Sequence, residues 1–266
     1  METLKLSEYE LSQLQAINNW KNEKPSVIEK TVGFLFKPIE RLTEQIIPKK
    51  AIEGVITTFN ALARFLTDTD DIKRDACVES IDELRTKDLQ LSDKLANEVH
   101  NWANAVAVAE GTGAGFIGLA GLIVDVPSLI TMGFRVIHKI GVCYGYDCDT
   151  EYEKQFAMTI MSIASSNTMK EKVVSVATLR QIQVLILKTA WKGMEKQGTK
   201  GAAVIAVKSL AKKMGINVTK RKALATIPIV GASVSAAMNL AYMNDIAWAA
   251  RRSYQERWLL ENKKID

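Results

Sequence analysis

Apolar residues recur at three- and four-residue steps along almost the whole chain, and no stretch alternates at period two for long enough to make a strand. Residues 1–24 place Leu4, Leu11, Leu14 and Trp20 on a loose helical stripe. Pro25, Pro38 and Pro48 then punctuate the chain, and each opens a helix or forces a break before it. Between them, residues 26–47 carry Val27, Ile28, Val32, Leu35, Phe36, Ile39, Leu42 and Ile46 on one face, with Lys30, Lys37 and Arg41 between them. That pattern predicts an amphipathic helix, packed on the domain or lying in a membrane interface. Ile52, Val55, Ile56, Phe59, Leu62 and Leu66 predict the next helix, and TDTDD at 67–71 a polar break that can cap the one after. A helix over about 92–110, capped by Ser92 or Asp93, and two more over 149–166 and 168–196 follow from the same period. The pattern predicts an all-α chain of nine to eleven helices: N-terminal helices over 1–48, then a helical domain over 49–266, together one compact multi-helix domain.

Two segments break the ordinary pattern. Between Glu110 and Arg135 there is one charge, Asp125, and glycines stand at 111, 113, 115, 118 and 121. Glycine costs about 1 kcal/mol relative to alanine in a helix interior. The compensating gain is close approach of a second backbone over a small-residue face. Asp125-Val126-Pro127 predicts a break, with Asp125 or Ser128 as cap and Pro127 in the first turn of a helix that runs to about Tyr144. The second segment, Ala223–Asn244, is uncharged and holds Gly231, Ala232, Ser233, Ser235, Ala236 and Ala237. Both predict small-residue-rich buried helices. A spanning helix needs about 20 consecutive apolar residues. The first segment has 14 uncharged residues (111–124) before Asp125, and the second 22 that include Thr226, Pro228, Ser233, Ser235, Asn239 and Asn244. Burial in the core is the preferred reading, and a hairpin that opens to enter a bilayer the alternative.

Charge changes the picture along the chain. The net charge of +5 arises from +1 over residues 1–50, −5 over 51–100, +2 over 101–200 and +7 over 201–266. A basic last quarter calls for an anionic neighbour, which is a membrane surface, a nucleic acid or the acidic second quarter. Lys208, Lys212, Lys213, Lys220, Arg221 and Lys222 lie beside an apolar segment, which suits acidic lipid better than nucleic acid. Cys77, Cys143 and Cys148 are too few for a disulfide framework and have no nearby histidine for zinc, so they are expected as reduced thiols in the cytoplasm. The N-terminus lacks the basic start and apolar run of a secretory signal.

Candidate chemistry is sparse. Asp125, Arg135, His138 and Tyr146 could gather into a polar pocket in which a carboxylate orients an imidazole. The competing structural roles are a cap for Asp125, a carboxylate partner for Arg135, and a helix-closing turn at Tyr144–Asp147 with Gly145 left-handed. Glu110 precedes the glycines in an apolar setting, as a helix-end residue or a partner for Arg135. Gly111-x-Gly113 begins a dinucleotide fingerprint, but a helix rather than a strand precedes it. No phosphate loop, nucleophile elbow or metal-binding motif is present, and neither a cofactor nor a metal is expected.

Trp102, Glu110-Gly111, the glycines through Gly115, Asp125-x-Pro127, Arg135 and Tyr144-Gly145-Tyr146-Asp147, then Ile227-Pro228-x-x-Gly231-Ala232 and Asn239, form an ordered string. In it the chain resembles the EcsC family over roughly residues 45–255, a family named after a protein encoded beside the Ecs ABC transporter. The resemblance implies membrane association and supplies no catalytic residues. The leading expectation is therefore a non-enzymatic cytoplasmic protein, peripheral at the inner face of the membrane or attached to a membrane protein. It would bind lipid or an apolar ligand near Glu110, Gly111, Gly115, Asp125, Arg135, Tyr144 and Asp147, with Lys220, Arg221 and Lys222 facing acidic lipid. A hydrolase using Asp125, Arg135 and His138, and an interaction module of a toxin or defence system, are the alternatives.

Overall fold

Ser7 opens the first helix through a capping box: its hydroxyl accepts from the Glu10 amide, and the Glu10 carboxylate accepts from the Ser7 amide. A computed structural model describes residues 5–25, 54, 67–114, 118–147, 150–192 and 231–265. Among them the secondary structure is helix, with no strand. The helices are α1 (Glu8–Asn22), α2 (Asp70–Ala76), a 3-10 turn (Ile81–Arg85), α3 (Leu89–Ala114), α4 (Gly118–Cys143), α5 (Glu151–Ala164), α6 (Met169–Lys192) and α7 (Gly231–Glu261). The expected helices over 26–47 and 49–66, the basic cluster through Lys222, and Gly115 lie outside the described residues.

Helix α7 is the axis of the bundle. It packs most extensively on α3, then on α4 and α5, and it also meets α1 and α6. Its inner residues Met243, Ile246, Ala247 and Ala250 are fully buried with Phe134, Ile137, Phe156 and Ile160. Ile17 of α1 joins the same core. Close helix approach of the kind expected for the glycine-rich stretch is described elsewhere. A methyl group on Gly133 would stand 2.6 Å from Met161 Cε and 2.9 Å from Ile246 Cδ1, and one on Gly141 2.7 Å from the Tyr254 ring. These two glycines, eight residues apart on α4, let α7 run against the α4 backbone.

Two expectations need correction: α3 begins at Leu89, so Ser92 and Asp93 lie inside it rather than capping it. The break at Asp125-Val126-Pro127 is absent: α4 is helical from Gly118 to Cys143, so Asp125 and Pro127 are interior rather than capping positions. Proline removes one backbone hydrogen bond and crowds the preceding turn, which favours a kink or a break. The helix that carries Pro127 packs on α3, α5 and α7.

The turn after α4 forms as expected. Gly145 has φ +88° and closes the helix, with the Tyr146 amide donating to the Gly141 carbonyl. Arg85 fixes the turn from outside by donating from Nε to the Gly145 carbonyl at 2.7 Å.

Candidate functional site

The described contacts distribute the expected site residues over several neighbours. Arg135 lies over the Trp102 ring at 5.3 Å, a cation–π contact. His138 is buried, with its ring 6.5 Å from that of Phe134. Tyr144 and Tyr146 are both brought onto Tyr254, stacked at 6.2 and 5.6 Å. Asp147 is exposed at the end of the turn. Helical backbone carries Glu110, Gly111 and Asp125, whose side chains are outside the described set.

The polar constellation with the most extensive described geometry is a ladder between α3 and α7. On α3, Asp93, Asn97, His100 and Asn104 recur at steps of four, three and four, which places them on one helical face. On α7, Gln255, Arg251 and Asn244 oppose them. Asp93 is 4% exposed and accepts from three side chains: Tyr9 Oη at 2.7 Å, Gln255 Nε2 at 2.7 Å and the Tyr144 hydroxyl. Burial and the Asp93 charge push the Tyr144 phenol well above its ordinary range, so it remains a donor. Arg251 donates to Asn97 Oδ1 at 2.9 Å and lies 3.5 Å from His100 Nδ1. A guanidinium only donates, so His100 Nδ1 accepts and its proton sits on Nε2, 2.9 Å from Asn244 Oδ1. Burial lowers the His100 pKa below its usual value, the bond to Asn244 opposes this, and Arg251 adds to the lowering. The imidazole is held neutral.

Beside the ladder lies a second buried pair. Arg257 donates two parallel bonds to Glu153, both 2.7 Å, and a third from Nε to Glu261 at 2.8 Å. Its guanidinium is 3.8 Å from the centre of the Tyr146 ring. With three of its N–H groups so engaged, Arg257 is a structural cross-link between α5 and α7.

At the α1 edge the ladder opens into a cleft of about 500 Å³. Trp20, Lys172, Asn244, Asp245, Trp248 and Arg252 are among its walls. Lys172 donates to the carbonyls of Trp20 (2.5 Å) and Glu23 (2.8 Å), which anchors the end of α1, and its ammonium is 5.0 Å from the Trp20 ring. Trp248 is approached by Arg251 at 4.5 Å and Arg252 at 4.8 Å. Arg252 donates to Gln13 at 3.0 Å and to Gln255 at 2.7 Å, and burial, then the Arg251 charge, lowers its pKa.

Sequence reasoning passed over Asp93 as a hub, and with it Arg251, Arg252, Trp248 and the Glu153–Arg257 pair. Two signals could have found the ladder: the polar stripe on α3, and the adjacent arginines four residues before Gln255 and Glu256 in a helix that is uncharged from Gly231 to Asn244. Among the described residues no group of His, Cys, Asp or Glu has the arrangement to hold a metal ion.

The model of the EcsC protein family matches residues 11–259. A Bacillus subtilis (strain 168) protein, the uncharacterised YdbA, is 23% identical over 266 residues, covering 95% of this chain and 93% of its own. No solved structure matches.

Proposed function

The chain belongs to the EcsC protein family, and from that footing we propose that it is a non-enzymatic accessory protein that docks on an acidic membrane surface from the cytoplasm. The observation that carries this reading is the outer face of α6. Val173, Val174, Val184 and Leu185 are 56%, 59%, 37% and 45% exposed, and Ala177 between them is exposed too. At 100° per residue these positions fall within one third of the helix circumference, opposite buried Ser175, Leu179 and Ile182. The same helix carries Lys170, Lys188 and Lys192 against one acid, Glu171, besides Lys172, which is buried on the end of α1, and Arg180, which pairs with Glu256. An apolar face on a basic helix complements anionic lipid: the valines and leucine enter the headgroup boundary and the cations meet the surface charge. Lys220, Arg221 and Lys222 add to the positive charge of the chain's last quarter. Among the described residues no helix is long and apolar enough to cross a membrane, and the mode proposed is attachment to one surface.

Flotation with vesicles tests this. The chain should float with phosphatidylglycerol-containing vesicles at low salt and release as salt rises, since the Debye length falls to about 8 Å at physiological ionic strength. It should not float with purely zwitterionic ones. A V174D/L185D variant, whose substitutions are at exposed positions, should keep the fold and lose most of the binding. Equal recovery of wild type with and without anionic lipid would overturn the reading. Docking of the same face on a protein would instead appear as a mass increase in solution that the variant abolishes without any effect of lipid.

A further inference from the structure

We infer that the cleft between Trp20 and Trp248 is a binding site for a phosphate-bearing small molecule or headgroup, with Arg252 as its principal anion ligand. Three observations converge there. First, Arg251 and Arg252 are adjacent and largely buried, yet their described hydrogen bonds all go to neutral groups: Asn97, His100, Gln13 and Gln255. Asp93, the nearest buried carboxylate of the ladder, is already engaged by Tyr9, Tyr144 and Gln255. Two neighbouring cations without a direct carboxylate partner form a site that an oxyanion would complete. Second, Lys24 and Lys172 add two cations to the walls that Arg252 lines, while Glu23 and Asp245 are the acids there. Third, the cavity, about 500 Å³, falls within the size range of small-molecule sites, and two indoles supply apolar walls for an organic body attached to the phosphate. The lowering of the Arg252 pKa by burial and by Arg251 agrees with this, because a bound anion would relieve both penalties.

Calorimetric titration of the full chain separates the possible sources of the group. The probes are inorganic phosphate, glycerol 3-phosphate and phosphatidate-containing vesicles, each against potassium chloride at matched ionic strength. Saturable binding of the soluble phosphates assigns a free ligand. Binding of phosphatidate vesicles above phosphatidylglycerol vesicles, without binding of the soluble probes, assigns a lipid headgroup. R252Q should weaken the binding about tenfold, the loss of one charge-assisted pair. D245N should strengthen it about threefold by removing an opposing charge, a change in sign that loss of folding cannot imitate. Absence of saturable binding by any probe, or equal affinities for wild type, R252Q and D245N, would overturn the inference. Neither outcome bears on α6, whose V174D/L185D variant should bind soluble phosphates as wild type does.

Discussion

At the scale of single residues, the ladder between α3 and α7 shows how a histidine can be fixed in one protonation state. His100 is 5% exposed, its Nδ1 faces a guanidinium and its ring meets Trp248 edge-on at 5.2 Å. Burial disfavours the charged imidazole, and Arg251 adds repulsion to a proton on Nδ1, so the folded pKa lies below the ordinary value of about 6.5. The sign of the consequence follows from proton counts. Between the lowered folded pKa and about 6.5, the unfolded chain binds a proton that the folded chain does not. The contribution of neutral His100 is therefore complete above about pH 6.5 and is lost as pH falls below it. The urea midpoint of the wild type should drop between pH 7.5 and pH 5.5, and His100→Gln, which can keep the bond to Asn244, should show a smaller drop. Identical pH dependence in the two proteins would mean that His100 titrates normally. Nothing in the residue His100 alone announced this; its spacing from Asp93 and Asn97 did, once α7 was seen to bring Arg251 opposite.

At the scale of the helix, glycine shows both what was legible and what was not. The expectation that small residues permit close helix contact is physically sound, and α4 uses it at Gly133 and Gly141, while the packing of the glycine-rich stretch lies outside the described residues. A glycine's role depends on what the partner helix presents, and the partner, α7, is about a hundred residues away in sequence. The same reasoning separates the two sites. At Gly133 an added methyl meets only side-chain ends, that of the flexible Met161 and the Cδ1 of Ile246, which can move. At Gly141 it meets Tyr254, whose ring is packed by Tyr144, Tyr146 and Phe156, the last at 5.1 Å. Alanine returns about 1 kcal/mol of helix propensity at either position. Overpacking costs about 1–3 kcal/mol where the neighbours cannot yield. Gly133→Ala should accordingly be close to neutral in urea denaturation, and Gly141→Ala destabilising by about 1–2 kcal/mol. The continuous helix through Pro127 belongs to the same lesson, since proline's local cost was readable in the sequence and the neighbours of α4 were not.

At the scale of the molecule, the periodicity of apolar positions was enough to read an all-α chain, because a three- to four-residue period leaves no other way to bury one stripe. Which helices touch was not readable, since that depends on pairs far apart in sequence. α1 shows how much those pairs matter. Its Tyr9 completes the shell of Asp93 and its Gln13 bridges Arg252 and Gln255. Its Lys21 pairs with Glu256 at 2.7 Å, and its Glu10 with Lys264 at 3.2 Å. Ile17 is fully buried among them. Removing α1 would expose Asp93 and leave its charge with fewer donors in a site built for three, and would also open the cleft at Trp20. The loss of the Tyr9 hydrogen bond to a charged group costs about 1.5–3 kcal/mol, and loss of Ile17 packing about 2–5 kcal/mol more. These sums are comparable with the whole stability of a domain, about 5–15 kcal/mol. A chain beginning at residue 25 should therefore lose its cooperative thermal transition or melt far below the full chain, whereas Tyr9→Phe, which deletes one hydroxyl, should lower the melting temperature only by a few degrees. If the shortened chain melted as the full one does, α1 would be an appendage, and the cleft that it walls could not be a built site.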